Sequence, residues 1–92
     1  MTREEYLLTV AAEEAMEIAY QISKSNRFGL NEIGPDQNLS NRMQIRNELI
    51  DLISVLEMID PNLIIVNLED IQKKKDKVER YIQYSIKCGR II

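Results

Sequence analysis

The 92-residue chain has no histidine, a single cysteine, a single phenylalanine, two prolines and three glycines. Without histidine there is no imidazole base, no His-based triad and no argument for a zinc site, and the Glu-x-x-His pairs of di-iron helical proteins are out of reach. Cys88 alone excludes an intrachain disulfide, fits a reducing compartment, and lacks the second thiol of a Cys-x-x-Cys redox motif. No apolar run approaches the length of a membrane span, and the start MTREEYLL puts acids where a signal sequence would have its apolar core. Basic excess is missing too. A net charge of −3 and a pI near 4.9 disfavour nonspecific binding to nucleic acid or to an anionic membrane, so neither is expected as a partner. These absences together predict a soluble, cytoplasmic protein.

What the chain does have is carboxylates in apolar surroundings. Glu13-Glu14-Ala15-Met16-Glu17 lies among Tyr6, Leu7, Leu8, Val10, Ala11, Ala12, Ile18, Ala19 and Ile22, and Glu48-Leu49-Ile50-Asp51 is flanked as densely. Residues three or four apart stand one above the other on a helix, so Glu14 with Glu17, and Glu48 with Asp51, each make a two-carboxylate face. Packed together, the two faces form a cluster of four oxyanions. Like charges that close raise one another's pKa unless a cation lies between them. Oxygen-only ligands suit a hard ion, Mg²⁺ or Mn²⁺.

Thr2 and Glu5 have the spacing of a capping box, which predicts a first helix from the amino terminus to Lys24 or Ser25. Lys24 lies on the same face as Glu14, Glu17 and Gln21, where its ammonium either meets substrate phosphates or answers the helix dipole. Residues 26–39, with Gly29, Gly34, Pro35 and Asp36, read as an ordered loop between antiparallel helices, long enough to be functional. At its root Arg27 can bind phosphate, and Phe28 either stacks on a base or, like Leu30, plugs the core. Ser40 or Asn41 caps a second helix that Asp60-Pro61 stops near Ile59. Residues 61–66 are readable as a short helical turn or as a β-prone segment. Asn67 caps a third helix closed by Gly89, apolar along Ile71, Val78, Ile82 and Ile86 and basic elsewhere; its lysines are either a solvated face or, beside the carboxylates, a phosphate site. Tyr84 and Tyr81 offer rings for a base.

The pair EEAME and ELID resembles the Glu-Glu-x-x-Glu … Glu-x-x-Asp signature of the MazG-like, all-α nucleoside triphosphate pyrophosphatases, and ISKSNRFGLNEIGPDQNL and KVERYIQYSIKCG are similar to small members encoded by bacteriophages. The resemblance spans most of the chain. It implies a single domain over residues 1–92, Mg²⁺ (or Mn²⁺) held by Glu14, Glu17, Glu48 and Asp51, and Glu13 as a water-orienting neighbour. It also implies hydrolysis between the α and β phosphates of a (d)NTP, giving a nucleoside monophosphate and pyrophosphate, with Glu14 or Glu17 as the base. Lys24, Arg27, Phe28 and Tyr84 are the expected substrate contacts, with Asn26, Gln37, Asn38 and Asn41 as further groups able to face a base.

The expected fold is all-α: a small antiparallel bundle of three long helices, with one short extra turn among the options. A 92-residue chain has a thin core, and apolar residues on two sides of the acid-bearing helices predict a homodimer or homotetramer. Two other functions fit the same residues. One is a nucleotide sponge or sensor that binds without turnover, and the other is a helical interaction module whose acids are merely solvated.

Overall fold

The computed structural model describes every residue, Met1–Ile92. Three α-helices and a single 3-10 turn follow one another: α1 Arg3–Phe28, α2 Asn41–Ile59, the turn Pro61–Ile64, and α3 Leu68–Lys87; there is no strand. The capping box forms, with Glu5 N–H donating to Thr2 Oγ1 at 3.1 Å and Thr2 N–H to Glu5 Oε1 at 3.4 Å. α1 runs about one turn beyond the expected Lys24 or Ser25. Ser25, buried, donates its hydroxyl to Gln21 O at 2.8 Å and so stays within the helix, and the chain leaves it only at Gly29, whose φ of 98° suits glycine and little else.

Ser40 caps α2, its hydroxyl accepting from Met43 N–H at 3.3 Å, and Asp60 caps the next turn by accepting from Asn62 N–H at 3.0 Å. Pro61 takes the first position of that turn, where its missing N–H costs nothing. Residues 61–64 are therefore helical and Ile65 is already extended, which resolves the two readings of this segment. Asn67 caps α3 by accepting from Glu69 N–H at 2.7 Å, and Gly89, at φ 74°, follows its end.

α1 and α2 form an antiparallel hairpin, with Gln21 donating to Gln44 at 2.9 Å near the loop and Leu7 beside Ile59 at the open end. The least exposed residues recur at three- and four-residue steps along each helix: Leu7, Ala11, Glu14, Ile18, Gln21 and Ser25 on α1, and Asn41, Ile45, Glu48, Leu52, Val55 and Ile59 on α2. That is one seam per helix. The loop is pinned across the top of it. Asn41, completely buried, donates Nδ2 to Gly29 O at 2.8 Å and its backbone N–H to Glu32 O at 3.0 Å, while Arg42 N–H donates to Leu30 O at 2.9 Å.

α3 does not join this packing. None of its Cα atoms comes within 8 Å of α1, α2 or the 3-10 turn. Of the two readings of the Lys-rich helix, the one that sets it beside the carboxylates does not hold within one chain: the extended link after the 3-10 turn carries α3 away from the hairpin. Only five residues are buried, Leu7, Ala11, Ser25, Gly34 and Asn41. Phe28, 56 % exposed, and Leu30 are not core plugs, and Leu8, Met16, Tyr20, Ile22, Leu49, Ile50, Ile53 and Met58 all remain exposed. No helix is long and apolar enough to cross a membrane.

Candidate metal centre

Glu14 and Glu48 take seam positions that an ordinary helical hairpin would give to leucine or alanine. Their neighbours in the seam are Ala11, Ile18, Ile45 and Leu52, so packing turns the two carboxylates inward and toward each other. Glu17, one turn along α1, adds a third group from the exposed side. One carboxylate oxygen from each of Glu14, Glu17 and Glu48 lies within 4.8 Å of the others.

The electrostatics of this trio is unbalanced. Glu14 Oε2 and Glu48 Oε2 are buried and have no hydrogen-bond partner. The pKa of Glu14 is raised, chiefly by loss of hydration and then by the charges of Glu17 and Asp51, with a proton-sharing contact to Glu17 and the charge of Glu13 as smaller causes. Glu48 is raised as well, first because Glu17 favours its protonated, hydrogen-bonding form, then by loss of hydration and by the charges of Glu17, Asp51 and Glu14. Every group acting on either carboxyl raises it, and none is a cation of the chain. Bare carboxylates with inward oxygens and no partner are what a hard divalent ion accepts as ligands.

The four predicted ligands are not equivalent. Asp51 is exposed and outside the trio of converging oxygens, although its charge reaches both Glu14 and Glu48. Glu13 is also exposed and is the weakest of the charges felt by Glu14.

The predicted substrate residues divide between two places. Lys24 and Phe28 line an open concavity of about 310 Å³ with Glu32, Gly34, Pro35 and Gln37, beyond the loop end of the seam. Arg27 stacks its guanidinium over the Phe28 ring, 5.1 Å from the centroid. A Cβ placed on Gly34 would stand 3.7 Å from Lys24 Nζ, so this ammonium lies with the loop and not over the carboxylates, as its role as a phosphate contact would require. Tyr84 is elsewhere altogether, on α3, where it shares an open surface hollow of about 400 Å³ with Lys77, Arg80 and Tyr81. One chain does not bring it to the acidic cluster.

Sequence reasoning passed over Glu32 and Gln44. Gln21 Nε2 donates to Gln44 Oε1, and Gln44 Nε2 donates in turn to Leu39 O at 3.1 Å, so the two amides tie the seam to the loop. The signal for Glu32 was available in its surroundings, a lone acid between Leu30 and Ile33 two residues before Gly34-Pro35. The chain matches no protein-family model, no curated protein and no solved structure in the three comparisons made.

Proposed function

We propose that the chain is a Mg²⁺-dependent nucleoside triphosphate pyrophosphohydrolase of the MazG-like kind its acid motifs resemble, cleaving between the α and β phosphates to release a nucleoside monophosphate and pyrophosphate. The observation that carries this reading is the pair of inward, unpartnered oxygens on Glu14 and Glu48 beside Glu17, in a seam where solvated acids have no reason to be. Glu14, Glu17 and Glu48 would hold the ion, with Asp51 closing the set from the exposed side. Bound there, Mg²⁺ supplies positive charge to a polyanionic substrate and lowers the pKa of a water.

The chain's own groups do the rest. Glu17, the most accessible of the trio, accepts the proton as water oxygen attacks the α phosphorus, and the bridging oxygen leaves with pyrophosphate. Glu13, exposed next to Glu14, orients that water. A triphosphate meeting four carboxylates also needs cations from protein, and α1 and α2 offer few. Residues 1–67 hold five basic and eleven acidic groups, net −6; residues 68–92 hold seven basic and four acidic, net +3. A homo-oligomer in which the basic, amphipathic α3 of one copy covers the acidic hairpin of another supplies both charge and a covering for the exposed apolar side chains.

The test is pyrophosphate release from a panel of ribo- and deoxynucleoside triphosphates, with Mg²⁺ and with chelator. Mg²⁺-dependent release that disappears in Glu17→Gln is the expected result. Tight Mg²⁺-dependent nucleotide binding without release would make the chain a sponge or sensor, and no binding at all would leave the interaction module.

A further inference from the structure

The concavity beside the loop has a polar arrangement that the hydrolytic centre does not use. Gly34 is buried, and a Cβ built on it would stand 3.4 Å from Glu32 Oε1, 3.6 Å from Gln37 Cγ and 3.7 Å from Lys24 Nζ, so a carboxylate and an ammonium converge over one bare Cα. Glu32 Oε1 is buried and has no hydrogen-bond partner, Lys24 included. The Phe28 ring and Pro35 form apolar walls of the same hollow. Its frame is held from beneath by Asn41, which fixes Gly29 O and Glu32 O, and by the Gln37 N–H to Gly34 O bond of 3.1 Å. An unpaired buried carboxylate oxygen is costly, and here nothing in the chain answers it.

We propose that this hollow is a nucleobase subsite and that it selects guanine. The Watson–Crick edge of guanine carries two adjacent N–H donors, N1–H and N2–H, next to the O6 acceptor. Glu32 accepts from the two donors, Lys24 donates to O6, and Phe28 lies against the ring. Adenine and cytosine offer an acceptor where guanine has N1–H, and uracil has one donor between two acceptors, so each would leave a charged group of the pair unanswered. Placement on the fold agrees with a single nucleotide bound along α1. Glu14, Glu17, Gln21, Lys24 and Phe28 follow each other at three- and four-residue steps, and the seven residues from Glu17 to Lys24 rise about 10 Å along the axis, enough to separate phosphates from base.

The inference rests on the proposed pyrophosphohydrolase reading for the location of the phosphates, and one experiment separates the two. Equilibrium titration of the full chain in Mg²⁺ with GMP, IMP, AMP, CMP and UMP is run beside pyrophosphate release from the corresponding triphosphates. GMP is expected to bind about 10- to 100-fold more tightly than IMP, which lacks only the 2-amino group, and than the other three. Glu32→Gln, which puts an amide in place of the acceptor pair, should erase the difference between GMP and IMP. Gly34→Ala adds one methyl at ordinary contact distance from its neighbours, so it should weaken every base while leaving the melting temperature in place. Equal binding of the five monophosphates by the native chain overturns the subsite even if all five triphosphates are hydrolysed, and so does a GMP preference that survives Glu32→Gln. A guanine preference without any pyrophosphate release retains the subsite and removes the hydrolase. Absence of binding by any nucleotide removes both.

Discussion

At the scale of single residues, the carboxyls that stand out are those of Glu14 and Glu48. Glu14 and Glu48 have pKa values above the ordinary carboxylate value of 4.5, which means that the folded chain resists ionising them. A carboxyl raised in the folded state contributes stability that is complete below the unfolded pKa and is lost as pH climbs through the folded one. The metal-free protein should therefore gain stability as pH is lowered from neutral toward the ordinary carboxylate value of 4.5, and saturating Mg²⁺ should flatten that slope; urea denaturation in chelator and in Mg²⁺ across this range measures both. Glu48→Gln removes a charge from the trio without changing its shape. Its melting temperature in chelator should rise, and its response to Mg²⁺ should shrink below the gain of about 2.7 kcal/mol expected of the native chain by mass action at a hundredfold excess over Kd. Asn41 is fully buried, with its Oδ1 unpartnered but its Nδ2 bonded to Gly29 O. Asn41→Ala should cost about 1 to 3 kcal/mol in chemical denaturation, because Gly29 O and the loop above it lose their tie.

The elements differ in how they are held. α1 and α2 support each other along a shared seam, so their helicity has a tertiary source. α3 has caps at both ends, at Asn67 and before Gly89, but no packed neighbour in its own chain. A helix without a packed neighbour lacks the tertiary contacts that supply most helical stability in proteins. Dilution should accordingly reduce the far-ultraviolet helical signal if a second copy supplies the missing neighbour, with the loss assigned by hydrogen exchange to residues 68–87 and not to the hairpin.

For the whole molecule, the dimensions show how much is left uncovered. The radius of gyration is 16.6 Å, against about 12 Å for a compact domain of this length. Accessible surface is 7642 Å², against about 5,500 Å² for a folded monomer of this mass. The excess, about 2,100 Å² per chain, is of the size that an obligate interface removes from solvent. Light scattering at micromolar concentration should report a dimer or tetramer. Val78→Asp, on the apolar side of α3, should dissociate it while leaving the hairpin's hydrogen-exchange protection unchanged, since no Cα of α3 comes within 8 Å of α1 or α2. High salt should weaken the assembly if the charge difference between residues 1–67 and 68–92 contributes to it.

The sequence alone determined the three long helices and most of their ends, because capping is local: Thr2 with Glu5, Ser40, Asp60 with Pro61, Asn67 and Gly89 act over three or four residues, while the end of α1 at Phe28, a turn past the expected one, was set by Ser25 and Gly29 in the fold. It also singled out Glu14, Glu17, Glu48 and Asp51 together, since acids three residues apart within apolar stretches can be read along the chain. Tertiary structure alone decided that Asp51 stands outside the converging trio, because a shared helix face does not specify how far each carboxylate reaches across to a partner helix. Only the folded loop could place Glu32 against Lys24 and Gly34, residues eight and two positions away along the chain, through bonds made by Asn41 from the start of α2. And only the fold could show α3 detached. Its amphipathic pattern announces that one side must be covered, but a periodicity is the same whether the covering surface belongs to its own chain or to another.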